Sequence, residues 1–377
     1  MERLTEIIAH FAFEGEYTGA DVCTDGHIND TFFLYYKVQD RTLRYVLQCI
    51  NHHVFRDPEG VMDNIEAVTR HLRKKVIEKN GDPSREAMRV IPTKEGRSFY
   101  RSVRGEYWRA YDFIEGARTY QQVENPLHFY HSGRTFGQFQ YLLSDFPAET
   151  LHETIERFHD TRKRLGDLLH VIKADPKGRA AGVQREIAFI LEREDETGVI
   201  VDLLSAGEIP LRVTHNDTKF NNIMIDDETG EGICVLDLDT VMPGSALYDF
   251  GDSIRFGAST AKEDESNLDL VSLDLELFTE FTRGYLSMAR GFLNQAEVDH
   301  LAFSVKLMTL ESGIRFLTDY IDGDRYFRVE HPKHNLDRAR AQLKLVTDME
   351  EKMSAMKGII QDILGGGLQK GSLDEGA

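Results

Sequence analysis

Four side chains hold the chemistry that this sequence makes most legible. His215, Asp217 and Asn222 form a His-x-Asp-x-x-x-x-Asn pattern, and Asp237 follows a short distance beyond. A loop aspartate can accept the proton of a substrate hydroxyl. An asparagine oxygen and a second carboxylate are hard-oxygen donors of the kind magnesium prefers. A base followed by metal donors suits phosphoryl transfer, which needs positioning and charge neutralisation more than covalent chemistry. Asp217 is therefore the candidate base, and Asn222 with Asp237 the candidate metal pair. His215 fits a brace for the loop better than a carrier of protons.

The elements around these residues must bring them together. Ile223–Ile225 and Cys234–Leu236 read as short apolar strands, joined by the turn-rich Asp226-Asp-Glu-Thr-Gly-Glu-Gly232. Folding them antiparallel returns position 237 to the side of position 222. Asp249-Phe-Gly251 spells a second acidic motif, yet it lies too far beyond Asn222 to be the hairpin partner. Asp237 takes that place, and Asp249 is expected to order the catalytic loop.

Upstream, after a short opening helix, Thr31–Val38 and Arg44–Ile50 are aromatic and β-branched and read as a hairpin across Gln39–Thr42. Val61, Ile65, Val68 and Leu72 mark one face of a helix over 60–78, and strands follow near 88–92 and 106–114. Beyond residue 115 the pattern turns helical. Asn125-Pro126 is a cap followed by proline at the first helical position, opening a helix to about Leu143. Further helices are expected over 153–173, 179–193, 275–293 and 336–364, the last a long amphipathic helix lying on its own lobe. The expected architecture is α+β, a bilobal protein-kinase-like fold. A small β-rich nucleotide-binding lobe spans 1–115, a larger helical lobe with catalytic loop and acceptor site spans 116–364, and a flexible tail spans 365–377.

Charge and composition narrow the partners. The net charge of −19 argues against nucleic acid and anionic membrane surfaces, which recruit clustered Lys and Arg. No apolar run reaches the roughly 20 residues of a membrane span, and the acidic N-terminus is unlike a signal peptide. The 3 cysteines form no Cys-x-x-Cys pair and read as reduced thiols, which fits a cytoplasmic location.

The His-x-Asp-x-x-x-x-Asn loop, the Val-Leu-Asp237 hairpin, and Gly244 with Asp249 resemble the aminoglycoside phosphotransferase and choline kinase superfamily. A closer resemblance is to the bifidobacterial-type N-acetylhexosamine 1-kinases. It covers nearly the whole chain, through Asp25-Gly-His-Ile-Asn29, Tyr45-Val-Leu-Gln48, Asp249–Thr260, Gly313-Ile-Arg-Phe316 and Tyr326-Phe327. The resemblance implies transfer of the ATP γ-phosphate to the anomeric hydroxyl of N-acetylglucosamine or N-acetylgalactosamine, with Mg²⁺. It assigns the base to Asp217, the metal to Asn222 and Asp237, and sugar contacts to His27, Phe256, Arg315 and Tyr326. Bland readings stand beside these. Phe256 could be core, Arg315 could pair with Glu311 one helical turn earlier, and Tyr326 could be an ordinary half-buried tyrosine.

One position departs from the common kinase pattern. Gln48 stands where a strand lysine usually grips the α- and β-phosphates, so the phosphate-binding cation is unassigned. Two alternatives follow. One is a related kinase for choline, homoserine or an aminoglycoside, which an arginine at the acceptor position disfavours. The other is a nucleotide-binding pseudokinase without turnover, which the full set of base and metal residues disfavours.

Overall fold

The structure is a computed structural model that describes residues 2–23, 28–123 and 125–366. Asp25, Gly26 and His27 lie outside the described residues, as do the residues beyond 366. The chain forms two compact units, one of residues 1–119, 142–156 and 222–243, the other of residues 120–141, 157–221 and 244–377. A boundary near 115 is expected from the sequence; residues 142–156 and 222–243 also group with the first unit.

The first unit is built on an antiparallel six-stranded sheet. Its strands are β1 (Glu16–Cys23), β2 (Asp30–Val38), β3 (Arg41–Ile50), β4 (Val90–Ile91), β5 (Tyr100–Arg101) and β6 (Tyr107–Asp112). They run β1-β2-β3-β6-β4, with β5 also pairing β6. Strands β2 and β3 form the expected hairpin, in which Val38 pairs Arg41 and Gln39 takes a φ of 54°. A tight turn of this kind needs positive φ, which matches the twist of the flanking strands. One sheet face buries Leu34, Tyr36, Tyr45, Leu47, Trp108 and Ala110 against Ile7, Ile8 and Phe11. Helix α1 (Glu2–Ile8) supplies Ile7 and Ile8. Helix α2 (Pro58–Glu78) begins where the Asp57 carboxylate accepts from the Gly60 N–H at 3.0 Å, and it buries Val61, Ile65, Val68 and Leu72 as the spacing predicts.

A smaller sheet holds β7 (Ala117–Arg118), β8 (Ile223–Asp226) and β9 (Gly232–Val235), in the order β9-β8-β7. Met224 pairs Cys234, Ile223 pairs Val235, and the Leu236 N–H donates to the Asn222 carbonyl at 2.8 Å. That register sets Asp237 beside Asn222, as the hairpin reading requires. Asp226 holds the turn: its carboxylate accepts from the Glu228 and Thr229 N–H groups and from Arg85.

The second unit is helical: α3 (Pro126–Leu142), α4 (Thr161–Ala174), α5 (Gln184–Leu191), α6 (Val199–Ser205), α7 (Ala246–Gly257), α8 (Leu275–Ala289), α9 (Gln295–Asp322) and α10 (His334–Leu364). The sequence reading began α4 near 153, and the structure corrects it. Arg157 takes a φ of 50°, and Asp160 caps the helix by accepting from the Lys163 N–H at 2.9 Å, so 151–160 is irregular. Helix α9 is given no bounds in that reading, which only sets Glu311 and Arg315 one helical turn apart. It is buried on several sides, so its sequence lacks the single apolar stripe that reveals a surface helix. Leu310, Ile314 and Leu317 of α9 pack with Leu165 and Leu168 of α4 and with Leu343 and Val346 of α10.

Helices α3 and α8 cross on glycine. A Cβ on Gly284 would lie 2.0 Å from the Tyr130 carbonyl oxygen, and one on Gly133 would lie 2.2 Å from that of Phe281. Neither backbone can yield without separating the helices. Gly284→Ala is expected to destabilise the protein by about 1–3 kcal/mol through overpacking despite the better helix propensity of alanine, read as a lower midpoint in urea unfolding. An unchanged or higher midpoint would contradict this close approach.

Candidate active site

In the first unit, two aspartates two positions apart have opposite surroundings. Asp237 ends the β8–β9 hairpin in the left-handed conformation, with φ 54° and an exposed side chain. Asp239 is 4% exposed, paired with the guanidinium of Arg109, and accepts from the Asn29 amide at 2.7 Å. Arg109 also donates from Nε to the Gln48 side-chain oxygen at 3.0 Å, and Gln48 passes the chain on to the Thr31 hydroxyl at 3.0 Å. Burial works against the Arg109 charge, but Asp239 leads the groups that outweigh it and raise its pKa above the ordinary range. Gln48 thus brings no positive charge itself, yet its neighbour on β6 carries one that is turned onto Asp239. The network joins residues on three strands and the turn before β2, a pairing no local motif announces.

Asn222 is buried and Asp237 exposed; Leu236 lies opposite Asn222 in the hairpin, and Asp237 follows one residue further on. Their donor chemistry, an amide oxygen and a carboxylate, fits a hard divalent cation. Among the described residues, no group of three or more His, Cys, Asp and Glu side chains is placed to hold a metal.

In the second unit, the candidate base sits on a loop whose backbone is gripped from several sides. The short strand Arg212–Thr214 leads into it. Asp249, in the first turn of α7, is fully buried and accepts from the N–H groups of His215 at 2.9 Å and Asn216 at 2.8 Å, and from the Gln140 amide at 2.7 Å. The Thr218 hydroxyl donates to the Asp249 carbonyl at 2.7 Å. Burial pushes the Asp249 carboxyl up, while His215 and these donors pull it back. Asn216 takes φ 63°, one of the side-chain types that tolerate the left-handed region. His215 is buried between Phe136 and Phe139, and its Nδ1 accepts from the Asp217 N–H at 3.3 Å. Asp217 itself is half-buried and forms an ion pair at 3.0 Å with Lys219, whose pKa it raises. Lys219 occupies one of the unspecified positions of the His-x-Asp-x-x-x-x-Asn pattern, which gives its charge no role.

The expected acceptor residues of this unit fall into place unevenly. Arg315 is half-buried on α9, with its guanidinium 5.2 Å from the Phe158 ring centroid, 5.6 Å from Phe327 and 6.0 Å from Tyr326. The ion pair with Glu311 that would make Arg315 structural does not form. Both Glu311 oxygens are engaged elsewhere, by the His159 ring and by the Thr161 hydroxyl. Tyr326 is 65% exposed rather than half-buried, on a segment organised by Asp319. The buried Asp319 carboxylate accepts from three successive backbone N–H groups, Arg325, Tyr326 and Phe327, at 2.8–2.9 Å, and from Asn335. Phe256 is half-buried on α7. Asp319 escaped the sequence reading because a single helical aspartate before a loop has no distinctive pattern.

Residues 21–284, more than half of the chain, match the model of the phosphotransferase enzyme family known as APH. The chain belongs to that family. Its members' fold is that of the solved structures it resembles. An aminoglycoside phosphotransferase from Alicyclobacillus acidocaldarius aligns over 96% of each chain, with a TM-score of 0.58 and 12% identity. A microcompartment-associated aminopropanol kinase aligns over 94% of this chain and 98% of its own, with a TM-score of 0.54 and 14% identity. A spectinomycin phosphotransferase, solved with ADP and spectinomycin, gives the same coverage, TM-score and identity. The chain is thus a phosphotransferase of the APH family with a mixed α+β, protein-kinase-like fold. No described helix is long and apolar enough to cross a membrane.

The Asp249 contacts generate a stability test. Asp249→Asn leaves one oxygen where two served three donors and turns an N–H group toward at least one of them. With each unsatisfied buried donor costing about 1–3 kcal/mol, the unfolding midpoint in urea should fall clearly below that of wild type. A midpoint equal to wild type would mean that the carboxylate does not hold the loop.

Proposed function

We propose that this phosphotransferase moves the γ-phosphate of ATP to the anomeric hydroxyl of an N-acetylhexosamine, N-acetylglucosamine or N-acetylgalactosamine, giving the sugar 1-phosphate. The observation that carries the choice of acceptor class is the surroundings of Arg315. An amine acceptor needs carboxylates or open aromatic faces for its cation. Here the faces of Phe158, Tyr326 and Phe327 already surround a guanidinium. Among the described residues, Arg315 has no carboxylate partner in hydrogen-bond or ion-pair range. Its N–H donors suit a neutral polyol with an acetamido oxygen. The motif resemblance across the chain points to the same acceptor, with His27, Phe256, Arg315 and Tyr326 as its contacts.

In this reading Asp217 orients the sugar O1 and accepts its proton. The anomeric hydroxyl is more acidic than a simple alcohol because the ring oxygen withdraws electrons, so a carboxylate of ordinary basicity serves. Lys219 forms an ion pair with Asp217 Oδ1 at 3.0 Å and so helps to hold the carboxylate in place. Asn222 and Asp237 would hold Mg²⁺, which when bound supplies charge neutralisation for the ATP phosphates. Arg109 pairs with the buried Asp239, and the exposed Asp237 is the carboxylate of the two assigned to the cation. The engagement of Gln48 by Thr31 and Arg109 favours, as a second reading, a nucleotide-binding protein without turnover.

Release of ADP measured over a panel of sugars and amino alcohols distinguishes these readings. The proposal predicts turnover with N-acetylhexosamines and little with choline, ethanolamine or homoserine. The second reading predicts nucleotide binding and no turnover with any acceptor. Asp217→Asn should lower kcat by about two to four orders of magnitude with nucleotide affinity little changed; a variant retaining over a tenth of wild-type kcat contradicts the base assignment. Arg315→Ala should cut kcat/KM for the hexosamine by roughly ten- to more than hundredfold, as for a lost charged hydrogen bond, with a far smaller change in the KM for ATP. Normal kinetics in a protein of lowered melting temperature would instead make Arg315 structural.

A further inference from the structure

His159 and Glu311 are used by neither the metal pair nor the acceptor contacts, yet they meet the catalytic loop from its buried side. His159 is 7% exposed and Glu311 1%. The Nδ1 of His159 lies 2.8 Å from Glu311 Oε1, and its Nε2 lies 3.2 Å from the backbone carbonyl oxygen of Asn216. The second Glu311 oxygen accepts from the Thr161 hydroxyl at 2.6 Å. Both partners of the imidazole are acceptors, so the ring satisfies the two together only when each nitrogen donates. Phe158 and Tyr248 lie against the ring at centroid distances of 4.5 and 5.3 Å and fix its plane.

The carbonyl that His159 meets belongs to the peptide group joining Asn216 to Asp217. The N–H of that same peptide donates to His215 Nδ1. Two imidazoles therefore hold the two edges of one peptide plane. The preceding peptide is held by Asp249 through the Asn216 N–H. The orientation of the 216–217 plane sets the direction of the Asp217 Cα–Cβ bond, and hence where its carboxylate points.

We propose that His159, oriented by Glu311, is a positioning residue that fixes the 216–217 peptide plane and so aims the carboxylate of Asp217. The proposal rests on the reading of Asp217 as the base. Its energetic logic is that of orientation: a displacement of about 1 Å at a reacting group can cost around 10²-fold in rate.

The test compares His159→Phe, His159→Gln and Asp217→Asn in the full chain, with N-acetylglucosamine and N-acetylgalactosamine as acceptors and amide hydrogen exchange in their absence. Phenylalanine keeps the ring volume and removes both donors. Glutamine can place an N–H near the position of Nε2 and restore the bond to the Asn216 carbonyl. His159→Phe should lower kcat about ten- to hundredfold with both KM values within about twofold, and should speed exchange of the Asp217 amide at least tenfold. His159→Gln should recover most of the kcat and of the protection. A merely structural histidine would lower the melting temperature of both variants equally while kcat per folded molecule and Asp217 exchange stayed at wild-type values, and that result overturns the proposal. If Asp217→Asn keeps wild-type kcat, the base reading fails instead, and unchanged Asp217 exchange in His159→Phe would still refute the clamp.

Discussion

The carboxylate of Asp249 is the constraint on which the catalytic loop depends. An ion taken fully out of water is tolerated only when donors replace the lost hydration. Here the His215 and Asn216 N–H groups and the Gln140 amide replace it. The exchange works in both directions: the loop would otherwise bury backbone donors with no partner. From that anchor, Asn216 enters the left-handed region and His215 turns its Nδ1 to the next amide. Asp217 then emerges half-buried at the end of a braced segment. Helix α3 contributes Gln140, which accepts from the buried Tyr285 hydroxyl of α8. The close α3–α8 crossing on glycine therefore reaches the loop through the Gln140 amide, alongside the packing of Phe136 and Phe139 on His215.

The first unit separates two carboxylates by environment. Asp239 and Asp237 are almost neighbours in sequence, yet one is consumed by a buried pair and the other presented at the surface. A buried Arg–Asp pair adds little net stability once desolvation is counted, but breaking one partner is costly. Its value here is fixation. Arg109 ties Asp239 to Gln48, and Asn29 ties it to the residues before β2. The lysine common in kinases at this strand position would lie next to Arg109 and set a second cation beside the one already paired with Asp239. Gln48 avoids that, which gives a physical reason for the departure from the common kinase pattern.

Much of this was legible in the sequence where local chemistry determines the outcome. The β8–β9 hairpin follows from two apolar runs around a turn of Asp, Thr and Gly. The α2 face follows from its spacing, and Asn125 caps α3 through its side-chain oxygen on the Leu127 N–H, as the Asn-Pro pair implies. What was not legible depends on distant partners. Strand β1 pairs along an edge and has no clear alternation, α9 is buried on too many sides to show a stripe, and the start of α4 is set by one aspartate cap. The Arg109–Asp239 pair, the Asp319 carboxylate under Arg325–Phe327 and the His159–Glu311 pair each unite residues far apart in the chain. Their identities were visible; their meetings were not.

The central claim is the identity of the phosphorylated atom, and ³¹P NMR of the product formed from ATP and an N-acetylhexosamine addresses it most directly. The account predicts a single new phosphomonoester resonance coupled to the anomeric proton, with the sugar's reducing end lost. A phosphate on another hydroxyl, a signal only with amino-alcohol acceptors, or inorganic phosphate as the sole product would contradict it.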